Sequence, residues 1–192
     1  MAKSVAKAAG MILFINLAVK ILGFLREAFI ANAFGASAAT DAYLVAYTLP
    51  YFLQAVLGYA LVTAVVPAVN QYLEAKNNQE AWHVSSALIN LTTVVLAICS
   101  IIGVCIAKYL VFLTAPAFPP EQMALATKLT MIMFPSLLFM GVGMVINGIG
   151  NAGYRFANGA FAPGFSNIII ILSVVLFSSR YGIEGLAVGT LI

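Results

Sequence analysis

The sequence predicts an all-α, polytopic transmembrane helical bundle with about five complete spans and the start of a sixth. Three observations carry that prediction. Of the 192 residues, 63% are hydrophobic and only 8% are charged. Four long stretches, Ala42–Leu73, Val84–Ala107, Leu129–Tyr154 and Phe156–Ser179, carry no charge at all. The segments between them are short and rich in turn-forming residues. A soluble domain is about a quarter charged and about half apolar. Here the polar residues are too few to coat a water-facing surface, so the solvent for a chain of mean hydropathy +1.05 is lipid.

Taken in order, each element follows from length and punctuation, since a helix needs about 20 residues to cross a bilayer. The first predicted span, 8–34, is long enough but contains Lys20, Arg26 and Glu27. Lys3 and Lys7 ahead of apolar Met11–Val19, with Ala31 and Ala33 downstream, imitate a signal peptide. The intervening charges and the later spans argue instead for a retained helix. Gly35–Thr40 leads to the second span, 42–73. As one helix it would measure roughly 48 Å against a core of about 30 Å, so it must tilt, protrude or bend. Pro50 and Gly58 are its weak points.

Glu74–Glu80, with Asn77 and Asn78, joins the second span to the third, 84–112. Thr114–Glu121, with Pro116, Pro119 and Pro120, leads to the fourth, 125–150. Asn151–Arg155 precedes the fifth, 157–179, and Ser178–Glu184 precedes a sixth apolar stretch, 185–192. Connectors this short make neighbouring helices antiparallel. The chain is expected to be a single membrane region, 1–192, without a second soluble domain. Eight residues reach only about 12 Å, which would leave the last carbonyls unpaired in lipid, and the sequence is therefore expected to be truncated. The distribution of Lys and Arg slightly favours a cytoplasmic N-terminus.

Several function classes fall away. The nine basic residues form no run or stripe, so the net charge of +3 does not point to nucleic acid. No paired carboxylates, metal-ligand cluster, nucleophile elbow or phosphate-binding glycine loop is present, so neither an enzyme nor a metal or cofactor site is expected. Cys99 and Cys105 read as small apolar fillers, His83 as a surface residue, and the methionines of the fourth span as packing.

The charges of the first span are the strongest functional clue. At mid-membrane each costs roughly 2.5–3.5 kcal/mol on insertion scales, so they must face water, each other or a ligand. Lys20 and Glu27 share a face, Arg26 points about 120° from Lys20, and Gly23 between them is a possible bend. The competing reading has Arg26 and Glu27 snorkelling to the interface while Lys20 pairs structurally. Asp41 suits a helix cap, a partner for Arg26, or both. Pro50 would bend a helix beside a charged one, as in cavities that open and close, or serve only packing. Gln54 suits an interhelical hydrogen bond.

The run Lys20–Glu27 resembles the first-helix signature of the MurJ/MviN family, in which a basic residue precedes a glycine and an Arg–acidic pair follows. Phe34-Gly35, Thr40-Asp41-Ala42-Tyr43 and Leu49-Pro50 are similar to its next segment. Thr114-Ala115-Pro116 with Phe118, then Asn151, Arg155-Phe156, Ala160–Pro163 and Asn167, continue the resemblance across nearly the whole chain. It implies most of one lobe of a two-lobed lipid II flippase of the multidrug/oligosaccharidyl-lipid/polysaccharide exporter superfamily, in a bacterial cytoplasmic membrane. A cationic cavity would receive the pyrophosphate-linked saccharide and expose it on the other side, driven by ions or membrane potential and without a cofactor. Lys20 and Arg26 fall on cavity-lining basic positions, with Gly23, Glu27, Asp41, Pro50 and Gln54 supporting or gating.

The implied partners are lipid II or a similar polyprenyl-pyrophosphate-linked saccharide, membrane lipid and the missing C-terminal lobe; without that lobe the chain is expected to be inactive. This sequence departs from the pattern at Lys20, where the family usually has arginine, and at Gln54-Ala55, where it often has arginines. Those departures keep an exporter of another lipid-linked oligosaccharide or a drug in view. From a different class, the alternative is a short membrane scaffold that transports nothing.

Overall fold

The computed structural model describes residues 2–152 and 157–191, and every regular element among them is an α-helix. The predicted connector residue Arg155 and its neighbour Phe156 lie outside the described residues, as do the side chains of Lys3 and Lys7 and all of residues 157–161 beyond their backbone.

Helix α1 (Ala2–Phe34) ends where Gly35 turns to φ 64° and returns its N–H to the Ala31 carbonyl at 2.9 Å. That is the usual way a glycine closes a helix. Helix α2 runs unbroken from Ala38 to Glu74, through both Pro50 and Pro67. Its start lies inside the predicted connector because Ser37 caps it: the Ser37 hydroxyl accepts the Thr40 N–H at 3.3 Å. The Asn77 side chain performs the same task for α3 (Asn78–Cys105), accepting the Glu80 N–H at 3.2 Å.

Two of the long apolar stretches are broken. The stretch expected as one span over 84–112 is interrupted at Ile106 and resumes as α4 (Ala107–Thr114). The stretch expected over 125–150 starts earlier, at the Pro119-Pro120 helix entry, as α5 (Pro120–Met133), then turns at Phe134–Pro135 and continues as α6 (Ser136–Ala152). Pro135 has no N–H to continue the helical ladder, and three-residue turns from Leu137 to Phe134 and from Leu138 to Pro135 take over. Gly103 faces Phe134, whose buried ring lies where any Cβ at position 103 would stand; the nearest ring carbon would be 1.9 Å from it. Leu96, Phe134 and Leu137 form the small core around this contact.

Helix α7 (Ala157–Leu191) doubles back on itself. Residues sixteen apart in a straight helix are separated by about 24 Å. Gly189 instead packs so closely on Ser173 that an added Cβ would lie 1.8 Å from its hydroxyl oxygen. The chain reverses at Gly182, where φ is 56° and ψ −140°. A second tie crosses from α5, the Lys128 ammonium donating to Glu184 at 2.6 Å.

One core cluster gathers Ile30, Ala42, Tyr43, Val111, Leu129 and Leu186, joining α1, α2, α4, α5 and α7. A second, around Val65, Val69, Val145 and Ala152, joins α2 and α6 at the other end. Large apolar side chains such as Leu91, Ile98 and Leu176 remain exposed. Among the described residues, three helical stretches are long and apolar enough to cross a membrane: Ala38–Glu74, Asn78–Cys105 and Pro120–Ala152. Exposed apolar faces on such helices need lipid or partner helices to cover them. The protein is a helical membrane bundle.

Candidate functional site

Helix α1 presents a packed stripe, Ile15, Val19, Leu22, Gly23, Arg26 and Ile30, at the three- and four-residue spacing of one helical face. That stripe lies on α7. The Asn167 amide donates to the Val19 carbonyl at 3.3 Å, and the same nitrogen would stand 3.6 Å from a Cβ on Gly23. Gly23 thus lies beside Asn167 of α7 at ordinary contact distance, and α1 continues through it without a break.

Arg26 belongs to the packed stripe, so its guanidinium is held between helices. Only 21% of its side chain is exposed, against 56% for Glu27. Its Nη2 donates to Glu27 Oε1, and its guanidinium carbon lies 5.8 Å from the ring centroid of Tyr47 on α2. Its Nε is buried without a hydrogen-bond partner among the described residues. A buried donor left unmade costs on the order of 1–3 kcal/mol, more when charged, and such a group is a natural place for an acceptor to bind. Arg26 is therefore packed against its neighbours and not extended freely from the helix.

The other predicted site residues are spread out. Lys20 is exposed, stands about 9 Å along the axis from Arg26, and has no hydrogen-bond or ion-pair partner among the described residues. The two cations do not converge within this chain. Asp41 neither caps α2 nor pairs with Arg26: Ser37, four residues earlier, takes the cap, and Glu27, next in sequence, takes the guanidinium. The Asp41 carboxylate lies exposed in the first turn of α2, where the helix dipole favours a negative charge. Pro50 is buried in α2, and Gln54 donates to the Met144 sulfur of α6 at 3.7 Å.

Sequence reasoning missed Tyr47. Tyr43, Tyr47 and Tyr51 recur every fourth residue and stack along α2, with centroids 6.2 and 5.5 Å apart. That spacing was the available signal. It also missed a groove of about 660 Å³ near the C-terminal end of α2, lined by Trp82, Ser85, Ser86 and Asn147 among others. None of the charged residues discussed above reaches it.

Comparison with known proteins agrees with this architecture. The family model "Lipid II flippase MurJ" matches residues 30–192, a stretch that begins after Arg26 and Glu27. "Probable lipid II flippase MurJ" of Buchnera aphidicola subsp. Acyrthosiphon pisum is 33% identical over 165 residues, 84% of this chain and 32% of that protein. "Lipid II flippase MurJ" of Burkholderia cenocepacia is 32% identical over 163 residues, 81% of this chain and 31% of that one. A solved structure, "Lipid II flippase MurJ, inward closed conformation", superposes with a TM-score of 0.79 at 28% identity, covering 94% of this chain and 38% of the other. The chain spans about a third of the length of the curated relatives it matches. These relatives are named as flippases, which are transporters and not enzymes. With a helical membrane bundle, a family match over most of its length and a structural neighbour of the same kind, the chain belongs to the lipid II flippase MurJ family.

Proposed function

We propose that the protein containing this chain flips lipid II, a lipid-linked peptidoglycan precursor, across the bacterial cytoplasmic membrane by alternating access. In this reading the chain, 1–192, forms most of one lobe with its N-terminus in the cytoplasm, and a second lobe of the same protein completes a cationic cavity. Lys20 and Arg26 take the substrate pyrophosphate. Gly23, Glu27, Asp41, Pro50 and Gln54 support or gate that site, and ions or the membrane potential drive the cycle without a cofactor.

One observation carries this reading beyond family membership: Arg26 is held between α1 and α2 with a buried N–H that has no hydrogen-bond partner among the described residues. A guanidinium offers five donors in a planar fork suited to phosphate oxygens, and Glu27 uses only part of it. The missing convergence of Lys20 with Arg26 fits a cavity whose other wall comes from the second lobe. Gln54 and Ala55 make α2 less cationic than arginines would, which favours testing other polyprenyl-linked saccharides beside lipid II in vesicle flipping assays.

The decisive test is complementation by the complete open reading frame in a bacterium depleted of its resident lipid II flippase. Arg26→Ala is expected to abolish growth while membrane insertion stays normal. Unimpaired growth on that variant would remove Arg26 from substrate handling.

A further inference from the structure

We propose that Tyr47 is a positioning residue for Arg26, its ring holding the guanidinium at the α1–α2 interface so that donors not taken by Glu27 can meet a lipid-linked pyrophosphate. This rests on the reading of Arg26 as the pyrophosphate ligand, and deepens it. An arginine in a membrane helix has a long flexible stem and tends to reach for the interface. Glu27 alone cannot prevent that, because it lies on the same helix and is more than half exposed. Tyr47 lies on a different helix, and the guanidinium carbon stands 5.8 Å from its centroid, within the roughly 6 Å range of cation–π attraction. An aromatic ring engages the cation without supplying the two acceptor oxygens of a second carboxylate, so fewer of the guanidinium donors are consumed.

The ring itself is fixed from both ends. Tyr47 is stacked between Tyr43 and Tyr51, with interplanar angles of 23° and 19°. Tyr43 is buried, and its hydroxyl lies 2.9 Å from Thr190 Oγ1 on α7. Thr190 spends its own hydrogen on the Leu186 carbonyl at 2.9 Å, so the Tyr43 hydroxyl is the donor in that pair. The chain of contacts from α7 through Tyr43 to Tyr47 thus registers the Arg26 charge against the packed core and not against mobile lipid.

The test uses the complete protein, purified in detergent and titrated calorimetrically with farnesyl pyrophosphate. Tyr47→Leu is expected to weaken binding roughly three- to thirty-fold, the equivalent of a desolvated cation–π contact, and Tyr47→Phe, which keeps the ring face, to stay within about two-fold of the parent. In an Arg26→Ala background, Tyr47→Leu should cause no further loss. If Tyr47→Leu binds like the parent while Arg26→Ala is impaired, Tyr47 does not position the cation. Equal losses from Tyr47→Leu with and without Arg26 would show a general packing role and overturn the proposal. Unchanged binding in Arg26→Ala alone would sink the pyrophosphate reading and the proposal with it.

Discussion

At the scale of single residues, backbone geometry makes the sharpest demand at Gly182. Its φ of 56° with ψ of −140° lies where only glycine is comfortable, and the reversal that it permits brings Gly189 onto Ser173. Replacing it with alanine adds no clash, because nothing lies within 4 Å of the new Cβ. The cost is therefore backbone strain, on the order of 1–3 kcal/mol. Gly143 provides the control: it is an exposed residue inside α6, also with open space around it. Gly143→Ala should leave stability unchanged or raise it by up to about 1 kcal/mol, the ordinary helix propensity gain. Thermal unfolding of both variants in detergent checks the contrast; equal melting temperatures would mean that the turn tolerates a side chain. The same scale shows why the site was only half legible in the sequence. Arg26 and Glu27 announce themselves because charge in hydrocarbon demands a partner. Tyr47 does not, since tyrosines are ordinary in an apolar helix and nothing in their spacing says which neighbouring helix they meet. Asp41 misled because Ser37 is an equally good cap that lies one turn nearer the glycine ending α1.

Among the elements, α2 carries the most conflict between local preference and overall fold. Pro50 removes one ladder hydrogen bond from a helix that nevertheless continues for 37 residues. Pro50 is buried in α2, and its missing N–H withdraws the ladder donor that the Ala46 carbonyl would otherwise receive. Pro50→Ala restores the missing donor, and the melting temperature is expected to rise by several degrees. If the weak point also serves alternating access, lipid flipping in vesicles should fall several-fold in the same variant. A stabilised variant that flips at the parental rate would assign Pro50 to packing alone. The all-helical membrane character could be read from charge-free runs and turn residues. The internal breaks of the helices were harder. The interruption at Ile106 has no proline to mark it, whereas Pro135 did mark the other, a signal that charge-free runs alone pass over.

For the whole molecule, the helix ends sort into two sides, and the contacts between them say which connectors share a side. The Gln122 amide at the start of α5 donates to the Ala38 carbonyl at the start of α2, 3.1 Å away, so the connectors around Ala36 and Ala117 lie at one end. Leu73 and Ala152, near the far ends of α2 and α6, meet in the core cluster at the opposite end, beside Asn77. A cytoplasmic N-terminus then requires Ala36 and Ala117 to face the outside and Asn77 the cytoplasm. The native thiols need removing first: Cys105 is exposed on the apolar surface of α3 and Cys99 is partly so. In a Cys99→Ala, Cys105→Ala background, Ala36→Cys and Ala117→Cys should react with a membrane-impermeant maleimide in intact cells, and Asn77→Cys only after permeabilisation. Labelling of Asn77→Cys alone in intact cells would invert the orientation and turn Arg26 toward the cytoplasmic half of the bilayer. Reaction of Ala36→Cys and Ala117→Cys from opposite sides would contradict the bundle itself, because one hydrogen bond cannot join residues separated by the thickness of a membrane.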